Sequence, residues 1–249
     1  MPEAALDRQR LDALLHGDPA AARARVLAAA RQGEVNAQVL YAQMLCEGRA
    51  GPRDEVEGLY WYTLAASAGH ALAMNMVGRC HELGRGTPVD EALAAAWYRK
   101  AAASGLDWGM YNLANLLATG RGVRRNAAEA FALYCRAATL GHAKSMNLVG
   151  RHYEEGWQVA ADPRVALHWY RRSAEAGDFR GQASFAAILT QAGRIDEAAA
   201  WLRRAAGTGT PAFLARLGDE LRGSQHAVLR AIGADMCARA RSAHAVPAR

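Results

Sequence analysis

A chain of 249 residues has room for one or two compact domains, and its net charge of +6 raises the question of an acidic partner. Lys100 and Lys144 are the only lysines among the cations and alanine is abundant; this reflects a GC-rich, bacterial genome, and because the arginines are not gathered into one stripe, nucleic acid is not an expected partner. No stretch has the length of a membrane-spanning helix, and Asp7, Arg8 and Arg10 precede any apolar run, so neither membrane insertion nor a signal peptide is expected and the location is read as cytoplasmic.

Leu6 to Leu15 reads as an opening helix and Asp18-Pro19 starts a second, making residues 1–34 an N-terminal capping pair. From there four ladders climb with one step of 36 residues. Glycines close helical segments at Gly33, Gly69, Gly105, Gly141 and Gly177. Small pairs precede them at Ala29-Ala30, Ala65-Ala66, Ala101-Ala102, Ala137-Ala138 and Ser173-Ala174. Capping residues recur at Asp18, Asp54, Asp90, Asn126 and Asp162, and small residues at Ala42, Gly78, Ala114, Gly150 and Ala186. One period shared by four ladders means a solenoid of stacked repeats, each too thin to bury its own apolar face. The full repeats are 35–70, 71–106, 107–142 and 143–178. Residues 179–210 form a contracted repeat, because Gln191-Ala192-Gly193-Arg194 runs straight into Ile195-Asp196-Glu197. A diverged capping repeat occupies 211–244 and a short tail 245–249, with fraying expected from Ala238 onward around Arg239, Arg241 and Arg249. The unbroken ladder predicts one solenoid over 1–244 with no linker.

Residues 71–106 show the logic of one repeat. Ala73, Met76, Val77, Cys80 and His81 recur at three- and four-residue steps, which predicts a first helix from Ala71 to Leu83. Gly84-Arg85-Gly86 stops it, and Asp90 caps a second helix whose apolar face runs through Ala94, Trp97, Tyr98, Ala101 and Ala102 to Gly105. The recurring small residues let helices approach to about 8 Å. Tyr41, Leu45, Trp61, Tyr62, Trp97, Tyr98, Leu113, Tyr134, Tyr153, Trp169 and Tyr170 are the expected fillers between them.

The pattern resembles the Sel1-like repeat family, a relative of the tetratricopeptide repeat. The residues that carry the likeness are Gly-Arg-Gly at 84–86 and 120–122, the Asp…Ala-x-x-Trp-Tyr-x-x-Ala-Ala-x-x-Gly run, and the closing Gly-His at Gly69-His70 and Gly141-His142. The resemblance covers residues 35 to 178 well. It implies an all-α, right-handed α/α superhelical solenoid of stacked antiparallel helix pairs, with the first helix of each pair (the A helix) lining a concave groove. It also implies a protein-interaction scaffold. A secreted, cysteine-rich branch of the family includes weakly hydrolytic members, but Cys46, Cys80, Cys135 and Cys237 show no recurring pairing and read as reduced thiols.

Nothing in the chain reads as catalytic, and no cofactor or metal site is expected. His70 and His142 sit at repeat junctions and are read as structural. His81 and His152 lack a ligand at metal-like spacing on one helix, and the adjacent Cys80 and His81 point apart. The candidate site is the groove. Positions three before and one after each small A-helix residue hold Val39 and Gln43, Asn75 and Arg79, Tyr111 and Asn115, Asn147 and Arg151, then Ala183 and Ala187. Only the central pairs carry chemistry: Asn75, Arg79, Tyr111, Asn115, Asn147 and Arg151. Asn can bond a peptide backbone, and Arg can grip a carboxylate or phosphate with two parallel hydrogen bonds. The same residues also read as a solvated face, with Arg79 paired to Glu82 and Arg151 to Glu154 or Glu155. Trp157, standing where Arg85 and Arg121 stand in earlier repeats, is a candidate partner anchor at the loop edge or folds back on its own repeat. The expected function is a non-enzymatic scaffold for a protein or peptide partner. The alternatives are a receptor for an anionic peptide terminus or small anion in the groove, and, far behind, a hydrolase.

Overall fold

The computed structural model describes residues 18–244, and among these there are only helices, turns and loops. The proposed opening helix Leu6–Leu15 and the tail 245–249 lie outside the described residues. The helices are α1 (Pro19–Arg31), α2 (Val35–Glu47), α3 (Glu55–Ser67), α4 (Ala71–Leu83), α5 (Glu91–Ala103), α6 (Asp107–Thr119), α7 (Ala127–Thr139), α8 (Ala143–Glu155), α9 (Pro163–Glu175), α10 (Phe179–Gln191), α11 (Ile195–Thr208), α12 (Pro211–Arg222) and α13 (Ala227–His244). Helix α13 therefore carries the chain through Ala238 as ordered helix, where fraying was expected.

Each boundary has a chemical cause. The carboxylates of Asp54, Asp90 and Asp162 and the amide oxygen of Asn126 accept from first-turn N–H groups of α3, α5, α9 and α7, as does Asp18 for α1. The Gly-His turns cap the A helices that follow them. Nδ1 of His70 accepts from the N–H of Ala73, and Nδ1 of His142 accepts from that of Ser145, both at 3.2 Å. Asp178 does the same for α10 through Gly181.

The chain divides into two compact units, with the division at Leu133 and Tyr134 inside α7. In the first, α1 to α6 pack each against the next. Val26, Tyr41, Met44, Leu45, Trp61, Tyr62 and Val77 form its core around the small residues Ala30, Ala42, Ala65 and Ala73. In the second, α8 to α11 stack in the same way, and α12 and α13 close the unit as a hairpin. Tyr170, Phe185, Leu189, Leu202, Phe213, Leu229 and Met236 fill it. The hairpin crosses at Gly218 and Gly233: a Cβ on Gly233 would come 2.7 Å from the Gly218 carbonyl, so no larger residue fits without separating the helices.

Three of the expected fillers are only half-buried, namely Trp97, Tyr153 and Trp169. The two tryptophans lie at the edge of their B helices (the second helix of each repeat). Lys100 sits 4.2 Å over the ring of Trp97, and Arg172 sits 4.9 Å over that of Trp169. Arg204 repeats the arrangement on Trp201 at 4.5 Å. Residues three apart on a helix share a face, so the outer side of an indole there is covered by the next cation, while Trp97 and Trp201 also pack inward against the cores of their units.

Candidate functional site

The framework of a repeat places its A-helix side chains by a recurring rule. At the middle of α4, Gly78 lets the ring of Tyr98 come so close that a Cβ would lie 2.7 Å from it; Gly150 and Tyr170 repeat this in α8 at 2.8 Å. The tyrosine hydroxyls then reach one turn further along the A helix. Tyr98 donates to Glu82 and Tyr170 to Glu154, both at 2.6 Å. Burial first, and the carboxylate partner second, push both phenols well above their ordinary range. Glu82 also pairs with Arg121, whose Nε lies 3.3 Å from Glu91.

These bonds leave the groove cations alone. Among the described residues neither Arg79 nor Arg151 has a carboxylate partner, so the pairing with Glu82, Glu154 or Glu155 that the solvated-face reading supposed does not form. Arg79 is half-buried and Arg151 exposed. Arg151 lies over the ring of Trp157 with its guanidinium carbon 5.1 Å from the ring centre. The same indole meets His152 edge-on at 5.2 Å and 82°, and stays 50% exposed. Trp157 thus leans back onto α8 and still presents half its surface. His152, packed also against Tyr134 at 6.2 Å, is held below the ordinary imidazole value by burial, which outweighs its hydrogen bond to Gln158.

The asparagines are placed differently from expectation. Asn75 and Asn147 are buried, 3% and 8% exposed, and do not line an open groove with their whole side chains. Oδ1 of Asn75 accepts from Nδ2 of Asn112 at 2.9 Å, and Oδ1 of Asn147 accepts from the hydroxyl of Ser184 at 3.1 Å. Four residues advance an α-helix by a full turn plus about 40°, so the position three before the small residue turns toward the next A helix while the position one after turns outward. Tyr111 and Asn115 flank Asn112 on α6, both half-buried, with the Tyr111 ring edge-on to Trp108 at 6.1 Å. The Asn75–Asn112 bond draws these α6 residues and Arg79 onto one surface of the first unit. Leu72 and Trp108, at equivalent positions of α4 and α6, add exposed apolar area there, 42% and 41%. Asn147, Arg151 and Trp157 form the corresponding surface of the second unit.

Sequence reasoning missed the linking partners Asn112 and Ser184, both 37 residues beyond the asparagine they hold. The signal was a polar residue at a fixed offset on a face otherwise apolar. It also missed the Glu–Tyr pairs, visible as Gly78, Glu82 and Tyr98 recurring together as Gly150, Glu154 and Tyr170.

All four cysteines are free. Burial pushes the thiols of Cys46 and Cys135 up, and that of Cys80 up to about 11. Among the described residues no group of three or more His, Cys, Asp or Glu side chains is placed to hold a metal ion, and no helix is long and apolar enough to cross a membrane.

Comparison with known proteins agrees with this geometry. The Sel1 repeat model matches residues 35–70, 71–106, 109–142, 143–178 and 195–207. Among solved structures, a Sel1 repeat protein from Oxalobacter formigenes is 25% identical with a TM-score of 0.80, over 95% of this chain and 100% of that one. A protective antigen of uropathogenic Escherichia coli displaying an SLR fold is 26% identical with a TM-score of 0.71; the match takes in 95% of this chain, which spans about half (53%) of that protein. An immunity protein from Pseudomonas aeruginosa, 17% identical over 84% of this chain and 80% of its own, shares the fold at a TM-score of 0.58. No curated protein matches. With its all-α helix pairs, its recurrent caps and crossings, and a family match along most of the ladder, the chain belongs to the Sel1 repeat family.

Proposed function

We propose that the chain is a non-enzymatic interaction scaffold whose A-helix surfaces bind a segment of another protein. Sel1 repeat proteins generally mediate protein–protein interactions. The observation that carries the reading for this chain is the pair of unneutralised cations: Arg79 and Arg151 stand at equivalent positions two repeats apart, while the glutamates one turn away are taken by Tyr98 and Tyr170. Exposed Leu72, Trp108 and Trp157 supply the apolar and aromatic area that partner contacts favour. The free guanidinium groups favour, within this reading, a partner segment that presents a carboxylate, such as a peptide terminus, and the half-buried Tyr111 and Asn115 would set its register. A hydrolase of the cysteine-rich type is not favoured, since that branch carries paired cysteines in each repeat and all four cysteines here are free.

The test compares partner capture by wild type, by Arg79→Ala plus Arg151→Ala, and by Trp157→Ala, at matched helicity. The double arginine variant should lose a bound carboxylate partner by about 2–5 kcal/mol, the cost of leaving its charge unpaired. Full retention of every partner by that variant would sink the proposal.

A further inference from the structure

Away from that surface, a cavity of about 570 Å³ opens in the first unit where α5, α6 and the loop into α7 meet. Arg99, Arg124 and Arg125 line it, with Leu117 and Val123 supplying apolar wall. Nε of Arg125 donates to the carbonyl of Ala118 at 3.2 Å, which fixes that side chain. Arg99 and Arg124 have no hydrogen-bond or ion-pair partner among the described residues. The carboxylate in the lining, Glu129, is already engaged by Nδ2 of Asn126 at 3.0 Å.

The repeats themselves supply the control. Residues that hold a solenoid together recur with its period. One step of 36 before the three arginines stand Thr63, Pro88 and Val89; one step after stand Cys135, Ala160 and Ala161. No cation occupies any of these positions, so the trio belongs to this one junction and not to the framework. Glu129 keeps its charge when an amide bonds it, but one carboxylate offsets only one of the three arginines, and the remaining excess of like charge raises the energy of the fold. A polyanion would need the basic surface to continue into the adjacent repeats, and the equivalent positions one step either side carry no cation.

We infer that this cavity binds a single phosphoryl dianion, carried by a phosphorylated side chain of a partner or by a small organic phosphate. The planar guanidinium groups match phosphoryl oxygens with paired N–H donors, and Leu117 and Val123 can meet the attached carbon chain. The site is separate from the A-helix surfaces and stands whether or not those bind a partner.

Calorimetric titration tests it, with inorganic phosphate, a phosphoserine peptide and glycerol phosphate as probes at constant ionic strength. The proteins are wild type, Arg99→Gln plus Arg124→Gln, and Arg171→Gln, whose guanidinium is already paired with Glu175. Saturable binding should fall about tenfold or more in the double variant and hold in the Arg171 variant, as expected for charge-assisted contacts. Affinity should also rise between about pH 5 and about pH 7, as the phosphoryl group takes its second charge near about pH 6. Tighter binding of the phosphopeptide than of glycerol phosphate assigns the site to a modified partner, and the reverse assigns it to a small phosphate; both support the inference. Equal melting temperatures exclude unfolding as the cause of a loss. The inference is overturned if no probe saturates in the millimolar range, if the double variant binds as well as wild type, or if single-stranded RNA binds more tightly than every phosphate probe.

Discussion

The Tyr98 hydroxyl donates to Glu82 at 2.6 Å across a crossing that only Gly78 makes close enough. Where the small residue is alanine, the glutamate is missing too: Ala42 goes with Cys46 and Ala114 with Ala118. Glycine and glutamate thus act as a pair, one admitting the ring and the other satisfying its hydroxyl. Gly150→Ala should destabilise the protein by about 1–3 kcal/mol, because the Tyr170 ring must shift to make room. Tyr170→Phe should cost about 1–2 kcal/mol through the lost bond to a charged acceptor. Urea midpoints measure both; an unchanged Gly150→Ala midpoint would mean that the crossing is looser than described.

Asn75 and Arg79, four residues apart, should respond oppositely. Asn75→Ala should lower stability by about 1 kcal/mol and couple to Asn112→Ala in a double-mutant cycle, since the two share one bond. Arg79→Ala should leave stability within about 0.5 kcal/mol of wild type, having no bond to lose. A strongly destabilised Arg79 variant would reveal a structural role and remove it from the binding surface.

Much of this architecture is legible in the amino-acid sequence. The ladder of glycines, caps and small residues defines the helix pairs because each of those positions answers to local backbone chemistry. The groove residues are legible only in part. Arg79 and Arg151 lie where spacing puts them, but the orientation of Asn75 and Asn147 depends on what the next A helix offers 37 residues later. His70 and His142 read as structural from their turn, yet their capping bonds depend on the angle at which the chain enters the helix. Arg99, Arg124 and Arg125 stay hidden in the sequence because a search for repetition passes over what does not repeat.

Ala50 stands at the position of Gly86 and Gly122, with φ of 59° against their 70° and 63°. It is the one non-glycine residue with positive φ among those described. An L-residue carries an energetic penalty in that region, partly offset by the greater freedom glycine loses on folding. Ala50→Gly should therefore raise stability by about 0.5–1 kcal/mol, read as a higher denaturation midpoint. A lower midpoint would show that the methyl group makes contacts worth more than the strain.

Acid should loosen the repeat junctions. Nδ1 of His70 accepts from Ala73 only while that nitrogen is unprotonated, and burial holds the imidazole below its ordinary 6.5. The unfolded chain therefore takes up the proton first as pH falls. The stabilisation from this group is complete above about pH 6.5 and is lost as pH drops through the depressed folded value. His152 shifts in the same direction, so it adds to the slope. His70→Asn, which caps without titrating, should flatten the dependence of the urea midpoint on pH below about 6.5 without abolishing it. An identical slope in the variant would assign the acid sensitivity elsewhere.

The second glycine of each Gly-Arg-Gly loop rests on the repeat before it. A Cβ on Gly86 would strike the backbone of Glu55, and one on Gly122 the backbone of Glu91, each at the first turn of the preceding B helix. Arg121 fastens the same joint by binding Glu82 and Glu91. Each loop is thus a dovetail cut to the length of its neighbour, and adding or removing one residue there would misalign the joint. During evolution such a chain can lengthen or shorten by whole modules of 36 residues far more readily than by single insertions. Looser variation stands in the first repeat, where Ala50 replaces the second glycine, in the fourth, where Trp157 and Gln158 replace the arginine and second glycine, and at the contracted turn Gln191–Arg194.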